Sequence, residues 1–263
     1  MRAVGIILAG GNNNRMKELT HKRAVAAMPI AGSYRSIDFA LSNMTNSHIQ
    51  KVAVLTQYNA RSLNEHLNSS KWWNFGRKQG GLYVFTPTIT NDNGYWYRGT
   101  ADAIYQNMDF LKKSHEPYVV IASGDAVYKM DYSKVLQYHI DKKADVTVVC
   151  KEMDPSDDVS RFGTIRMDDD MRITEFEEKP MVTKSNMIST GIYVIRRRLL
   201  IDLIEHAAEE ERFDFVNDVL IRYKNLKKIY GYKIDHYWSN IATVDAYYKT
   251  NMDFLKPEVR NYF

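Results

Sequence analysis

Four apolar runs stand out along the chain, at residues 3–8, 51–55, 118–122 and 145–150, each rich in Val, Ile or Ala and largely unbroken. A run of that length predicts a strand covered on both faces, the situation of parallel strands in an α/β sheet. Between the runs the period lengthens. Residues 35–46 carry Ile37, Leu41 and Met44 at helical spacing, residues 102–113 form a second helical stretch, and Asp131 is placed to cap a third that reaches about Lys143. Strand and helix alternate, so the pattern predicts a doubly wound sheet.

Past residue 160 the pattern shifts toward strand pairs. Residues 164–167 and 172–178 flank Asp168-Asp169-Asp170, which reads as a hairpin turn rather than a metal cluster. A strand at 190–195, helices at 196–208 and 214–223 and a last strand at 227–234 follow. Arg196-Arg197-Arg198 begins a solvated helix face, and Trp72-Trp73 reads as packing.

Composition narrows the classes. At 263 residues and 44% hydrophobic content, the chain fits one large α/β domain or two small ones. A single cysteine, Cys150, excludes an intramolecular disulfide, and the first apolar run is too short for a signal peptide or a membrane span. A cytoplasmic protein is expected. A formal charge of +4, with basic residues scattered among 32 acids, gives nucleic-acid binding little support. Small anionic ligands stay open.

The chemistry is concentrated after the first strand, where Gly10-Gly11-Asn12-Asn13-Asn14-Arg15 forms a loop. Exposed backbone N–H groups at the carboxyl end of such a strand bind phosphates. The three-glycine spacing of dinucleotide oxidoreductases is missing. Downstream, Lys22-Arg23-Ala24-Val25-Ala26 sets valine and alanine where a phosphate-handling segment would carry charge. Asp125, after Gly124, stands just past the third apolar run, a ligand-binding place in α/β sheets.

Several separated motifs then match one family in order. Leu8-Ala9-Gly10-Gly11 with Arg15, and Pro29-Ile30-Ala31-Gly32 leading to Arg35-Ser36-Ile37-Asp38-Phe39-Ala40-Leu41-Ser42-Asn43, resemble the sugar-nucleotide pyrophosphorylases. Thr56-Gln57-Tyr58, Trp96-Tyr97-Arg98-Gly99-Thr100-Ala101-Asp102-Ala103, Gly124-Asp125, Phe176-Glu177-Glu178-Lys179-Pro180 and Gly191-Ile192-Tyr193-Val194 are similar to bacterial glucose-1-phosphate adenylyltransferase, the ADP-glucose pyrophosphorylase of glycogen biosynthesis. The resemblance implies a Rossmann-like, doubly wound, mostly parallel sheet of the sugar nucleotidyltransferase type. It also implies a reaction of ATP with glucose 1-phosphate to give ADP-glucose and pyrophosphate. By the same resemblance, Gly10 and Gly11 belong to the nucleotide loop with Arg15 as a catalytic cation, and Gln57, Gly99 and Thr100 recognise adenine. Glu178, Lys179, Ser189 and Tyr193 hold the glucose phosphate, and Asp125 carries Mg2+.

The departures from that pattern fall together. Asn12, Asn13 and Asn14 occupy a loop that in the family holds glycine and a further basic residue. The family's lysine-proline is Val25-Ala26, its histidine after the metal aspartate is Ala126, and its Trp-Arg-Asp-Val-Gly is Trp238-Ser239-Asn240-Ile241-Ala242. Adenine and glucose positions persist while triphosphate and metal positions, Val25 and Asn240 above all, are degenerate. The closest resemblance is therefore to the GlgD-type regulatory subunit, whose partner is a catalytic subunit in a hetero-oligomer. Two other readings are an active enzyme, with Arg15, Lys22 or Arg23 replacing the missing lysine and Asp235 or Asp245 the missing carboxylate, and a stand-alone sensor of a sugar nucleotide or sugar phosphate. Family members continue into a left-handed β-helix, and nothing repetitive follows Phe254. Residues 1–255 are thus read as the nucleotidyltransferase-like domain and 256–263 as the start of a linker.

Overall fold

The computed structural model describes residues 2–68, 73–75, 80–90 and 94–263. Trp73 is buried, as the packing reading expects, whereas Trp72 lies outside the described residues. The architecture is the expected α/β, Rossmann-like one, and the chain divides into two compact units. The first unit comprises Val4–Trp96, Ala122–Tyr132 and His236–Phe263; the second holds Tyr97–Ile121 and Ser133–Asp235.

In the first unit, strands Ala3–Ala9, Lys51–Thr56 and Gly81–Phe85 run parallel, with Ile7 opposite Val54 and Val54 opposite Val84. The last of these was not evident from the apolar runs. Helix Ser36–Asn46 turns Ile37, Leu41 and Met44 into the core. Its polar residues do a second job. Ser36 Oγ donates to the Gly124 carbonyl at 2.8 Å, and Asn43 Nδ2 donates to the Tyr128 carbonyl at 3.1 Å. Asn43 Oδ1 accepts from the Met130 amide at 3.0 Å, and Ser47 Oγ from the Tyr132 amide at 2.8 Å. A buried backbone group without a partner costs about 1–3 kcal/mol, so these bonds fix the segment that carries Asp125.

Within that segment Ala126–Tyr128 pairs antiparallel with Trp238–Asn240, a ribbon too short to show as a sequence period. Helices Val244–Asp253 and Pro257–Tyr262 follow. Phe263 packs edge-on against Phe39 and Tyr237.

The second unit is organised by Met187–Arg196, which runs antiparallel to Val146–Glu152, to the start of Tyr118–Ser123 and to Gly163–Met167. The runs at 118–122 and 145–150 therefore do not have parallel neighbours only, although Val146–Glu152 does pair in parallel with Ile229–Ile234. Burial on both faces makes a strand apolar whatever the direction of its neighbours. The hairpin at Asp168 is as expected: Asp168 Oδ1 accepts from the amides of Asp170 and Arg172, and Met171 takes the left-handed conformation.

Two helices depart from expectation. The stretch at 102–113 breaks into Thr100–Gln106 and Met108–Lys112, because Asn107 Nδ2 takes the Ala103 carbonyl at 2.8 Å and the Tyr97 hydroxyl at 2.9 Å. The segment expected as a helix at 214–223 is a π-helix over Phe215–Ile221. Arg197 is not a solvated face residue, since its guanidinium donates to the carbonyls of Glu116 and Leu111, and Arg196 pairs with Asp145 at 2.6 Å.

His139 is enclosed in this unit, with Nδ1 2.8 Å from Thr147 Oγ1 and its ring edge-on to Tyr118. Burial, aided by Arg196 and opposed by Asp145, pushes its pKa down to about 4. The unfolded chain, with an ordinary value of 6.5, binds a proton across the window that the native state refuses. Stability from this residue is full above that window and is lost as pH falls from about 6.5 to 4. Urea unfolding at pH 7 and pH 5 is expected to show a loss of about 1–2 kcal/mol, reduced in His139→Gln.

Candidate functional site

In the first unit the loop after the first strand is held by its neighbours. A Cβ on Gly10 would lie 3.2 Å from Gln57 Cβ and 3.4 Å from the Gln57 amide nitrogen, so Gly10 and Gln57 are in direct contact. Gly11 has open space around it and is exposed. Asn13 closes the loop, its Oδ1 accepting from the Arg15 amide at 2.9 Å and its Nδ2 donating to the Ala242 carbonyl at 2.7 Å. Arg15, Lys22 and Arg23 form no ion pair among the described residues; Arg15 and Lys22 are exposed and Arg23 is half-buried.

Asp125 follows the strand end, half-buried, with Oδ1 accepting from Ser123 Oγ at 2.5 Å. Its carbonyl accepts from the Ile241 amide at 2.9 Å and from Asn240 Nδ2 at 3.4 Å. Asn240 Oδ1 in turn accepts from the Ala242 amide at 3.0 Å. The resemblance places magnesium here, and the donors can be tested against it. Mg2+ takes one or two carboxylates together with substrate phosphates. Ser123 occupies one oxygen of Asp125, the oxygen of residue 240 is uncharged and engaged, and no group of three His, Cys, Asp or Glu able to hold a metal occurs among the described residues. The set does not fit a cation held by two protein carboxylates.

Val25 is 8% exposed and belongs to an apolar cluster with Met16, Met28, Ile30, Val127, Ile241 and Phe254. Ala26 lies against Gly124, 3.2 Å from where a Cβ on that glycine would stand. The position at which the resemblance expects a lysine facing phosphates is thus internal.

The second unit carries the remaining predicted residues. Gly99 is extended, and a Cβ there would stand 2.3 Å from the Phe213 carbonyl oxygen. That oxygen accepts from the amides of Ala101 at 2.8 Å and Asp102 at 3.3 Å, capping helix Thr100–Gln106, while Thr100 Oγ1 accepts from the Phe215 amide at 2.9 Å. Glycine is needed for this close approach, and the N–H groups at the helix start are spent on it. Buried Asp102 fixes the turn from the other side through the amide and guanidinium of Arg98, which lies 3.8 Å over the Phe213 ring.

Ser189 and Tyr193 sit four residues apart on one strand, about 13 Å in a regular strand, yet their hydroxyls are 3.2 Å apart. The register against Val146–Glu152 slips between them, and Gly191 at φ 76° permits the bulge. Tyr193 is 4% exposed and stacks edge-on to Phe215. Burial raises its phenol pKa, with Glu178 and Asp214 adding in the same direction. Glu178 pairs with the Lys179 ammonium at 3.2 Å, and its carboxyl is raised by burial, against the pull of Lys179. Asp214 joins this cluster through its field on both residues. The sequence marked it only as a helix start.

The chain matches the model of a family described as Nucleotidyl transferase over residues 4–257. It is 42% identical over 255 residues to a glucose-1-phosphate adenylyltransferase of Clostridium novyi (strain NT), covering 96% of this chain and 66% of that relative. A protein of the same name from Thermosipho melanesiensis is 40% identical over 256 residues, 97% of this chain and 62% of the relative. One from Bacillus thuringiensis (strain Al Hakam) is 42% identical over 260 residues, 98% of this chain and 69% of the relative. The chain spans about two thirds of the length of these relatives. Among the described residues no helix is long and apolar enough to cross a membrane.

Two substitutions check the local readings. Gly99→Ala is expected to lower stability by about 2–4 kcal/mol in urea unfolding, since carbonyl and Cβ cannot share the space. Val25→Lys is expected to lower the thermal midpoint by several degrees, the cost of about 2 kcal/mol for forcing an ammonium out of an apolar cluster, while Val25→Ile stays close to the parent.

Proposed function

The chain belongs to the nucleotidyl transferase family, and on that premise we propose that it is a subunit of a glucose-1-phosphate adenylyltransferase, impaired in its own turnover and modulating an active homologue. The reaction would be that of ATP with glucose 1-phosphate, in the cytoplasm, in the service of glycogen biosynthesis. A phosphate oxygen attacks the α-phosphorus in line and pyrophosphate leaves, so no protein nucleophile is needed. Catalysis is then alignment and cancellation of phosphate charge.

The observation that carries the reading is where this chain puts its uncharged replacements. Val25 is packed among apolar side chains, and the oxygen of Asn240 is bonded to the Ala242 amide. Neither is poised toward a ligand's charge. Loss of one well-placed stabilising group costs about 100- to 1,000-fold in rate, and losses within one unit of chemistry do not multiply. By comparison, the residues that the resemblance assigns to the sugar phosphate, Glu178, Lys179, Ser189 and Tyr193, are kept and in contact in pairs, and Gly10 touches Gln57, which supports the reading. A subunit that keeps a ligand pocket and binds one conformation of a catalytic partner better than another shifts that partner's population.

A second reading, an active adenylyltransferase, is favoured by a different observation. Arg15, Lys22 and Arg23 are cations without an ion-pair partner among the described residues, and any of them can supply the charge that Val25 lacks. Asp125 is its protein carboxylate.

Pyrophosphate release from ATP and glucose 1-phosphate with magnesium separates the two. The protein alone is expected to run at least about 100-fold below a catalytic homologue, and to co-purify with its cognate catalytic subunit and alter that subunit's kinetics. Turnover matching the homologue would overturn the impaired reading. Absence of any complex or kinetic change would overturn the modulating role.

A further inference from the structure

The departures from the family pattern converge on a single backbone residue. Asn13 and Ala242 are 229 positions apart, yet Asn13 Nδ2 donates to the Ala242 carbonyl at 2.7 Å. The Ala242 amide donates to Asn240 Oδ1 at 3.0 Å, and Asn240 Nδ2 reaches the Asp125 carbonyl at 3.4 Å. Ala242 is therefore held by asparagines through both of its backbone groups, its carbonyl by Asn13 and its amide by Asn240. Ala126 stands opposite Asn240 in the ribbon, and Ile241 carries its side chain into the cluster that holds Val25. All of these residues lie in the first unit.

We propose that Asn13 is a positioning residue that, together with Asn240, clamps the loop at 10–15 onto the segment 240–242 and so keeps the side-chain oxygen of residue 240 turned to the Ala242 amide. The chemistry of the two side chains supports this. Each uses both halves of its amide, donating with Nδ2 and accepting with Oδ1. Neither glycine at 13 nor a carboxylate at 240 could make the full set: glycine has no side chain, and a carboxylate cannot donate to the Asp125 carbonyl. A carboxylate at 240 would still accept from the Ala242 amide, and that amide is held in place by the Asn13 bond to the carbonyl of the same residue. Restoring charge at 240 alone thus leaves one carboxylate oxygen on the Ala242 amide. Release at residue 13 is required before it can serve a cation beside Asp125.

The inference rests on the impaired reading for its meaning in the reaction, but its test does not pass through turnover. Amide hydrogen exchange reads the clamp directly. In Asn13→Ala the Ala242 amide, whose own acceptor is untouched, is expected to exchange on the order of tenfold faster. In Asn240→Ala the Arg15 amide, which donates to Asn13 Oδ1, is expected to do the same. Should Asn13→Ala unfold, Asn13→Asp keeps the acceptor for the Arg15 amide, loses the donor, and gives the same comparison. Exchange that changes only at the amide bonded directly to the mutated side chain would overturn the clamp.

Titration with Mn2+ as the probe reads the consequence. Asn240→Asp is expected to bind within about threefold of the parent, and Asn13→Gly/Asn240→Asp on the order of tenfold tighter than either single variant, a coupling of ordinary size for residues in one network. Full gain in Asn240→Asp alone would overturn the proposal. A parent that turns over like its homologues would overturn the impaired reading and leave the exchange result to stand or fall by itself.

Discussion

Hydrogen bonding of a buried backbone that has left its strand is the constraint on which the first unit depends. From Gly124 to Tyr132 the chain ends one strand, forms a three-residue ribbon and enters a helix, so its polar groups cannot be paired by a regular ladder. Side chains of helix Ser36–Asn46 and the residue after it meet that need: Ser36, Asn43 and Ser47 bond four backbone groups between Gly124 and Tyr132. The polar members of the run Arg35 to Asn43 therefore have a structural reason of their own. Asp38 completes the picture, accepting from the Arg35 amide and from His66 at 2.6 Å.

Given that scaffold, the uncharged residues at the positions where the resemblance expects charge are absorbed rather than left as holes. Valine where a cation is expected gains a place among Met16, Val127 and Ile241, worth about 1.5–3 kcal/mol if fully buried. Asparagine where a carboxylate is expected gains a donor to the Asp125 carbonyl. A site can lose its charges without losing its fold when each replacement finds a neutral partner already present. The match to the family model over residues 4–257 persists through these changes.

The second unit answers a different demand. Its predicted ligand residues depend on irregularities: an extended glycine under a carbonyl, a bulge at Gly191, a sharp turn at Lys179 whose amide bonds Phe162. Such features are stable because the surrounding strands over-determine them. They also bring the Glu178 and Asp214 carboxyls close enough to act on the Tyr193 phenol, and Asp214 close enough to act on Glu178.

The sequence by itself determined the strands at 3–8, 51–55, 118–122 and 145–150, helix 35–46, the loop after the first strand, the hairpin at Asp168, the family and the positions at which this chain departs from it. These are legible because burial and turn chemistry leave a local period or a local residue type. Tertiary structure alone decided that Val25 is internal, that Asn107 breaks a helix, that Ser189 meets Tyr193, and that Asn13 meets Ala242. A hydrogen bond between residues 229 positions apart leaves no period in either segment, and a bulge inverts the spacing from which contact would be inferred. Local pattern reports what each residue needs, and only the folded chain decides which distant partner supplies it.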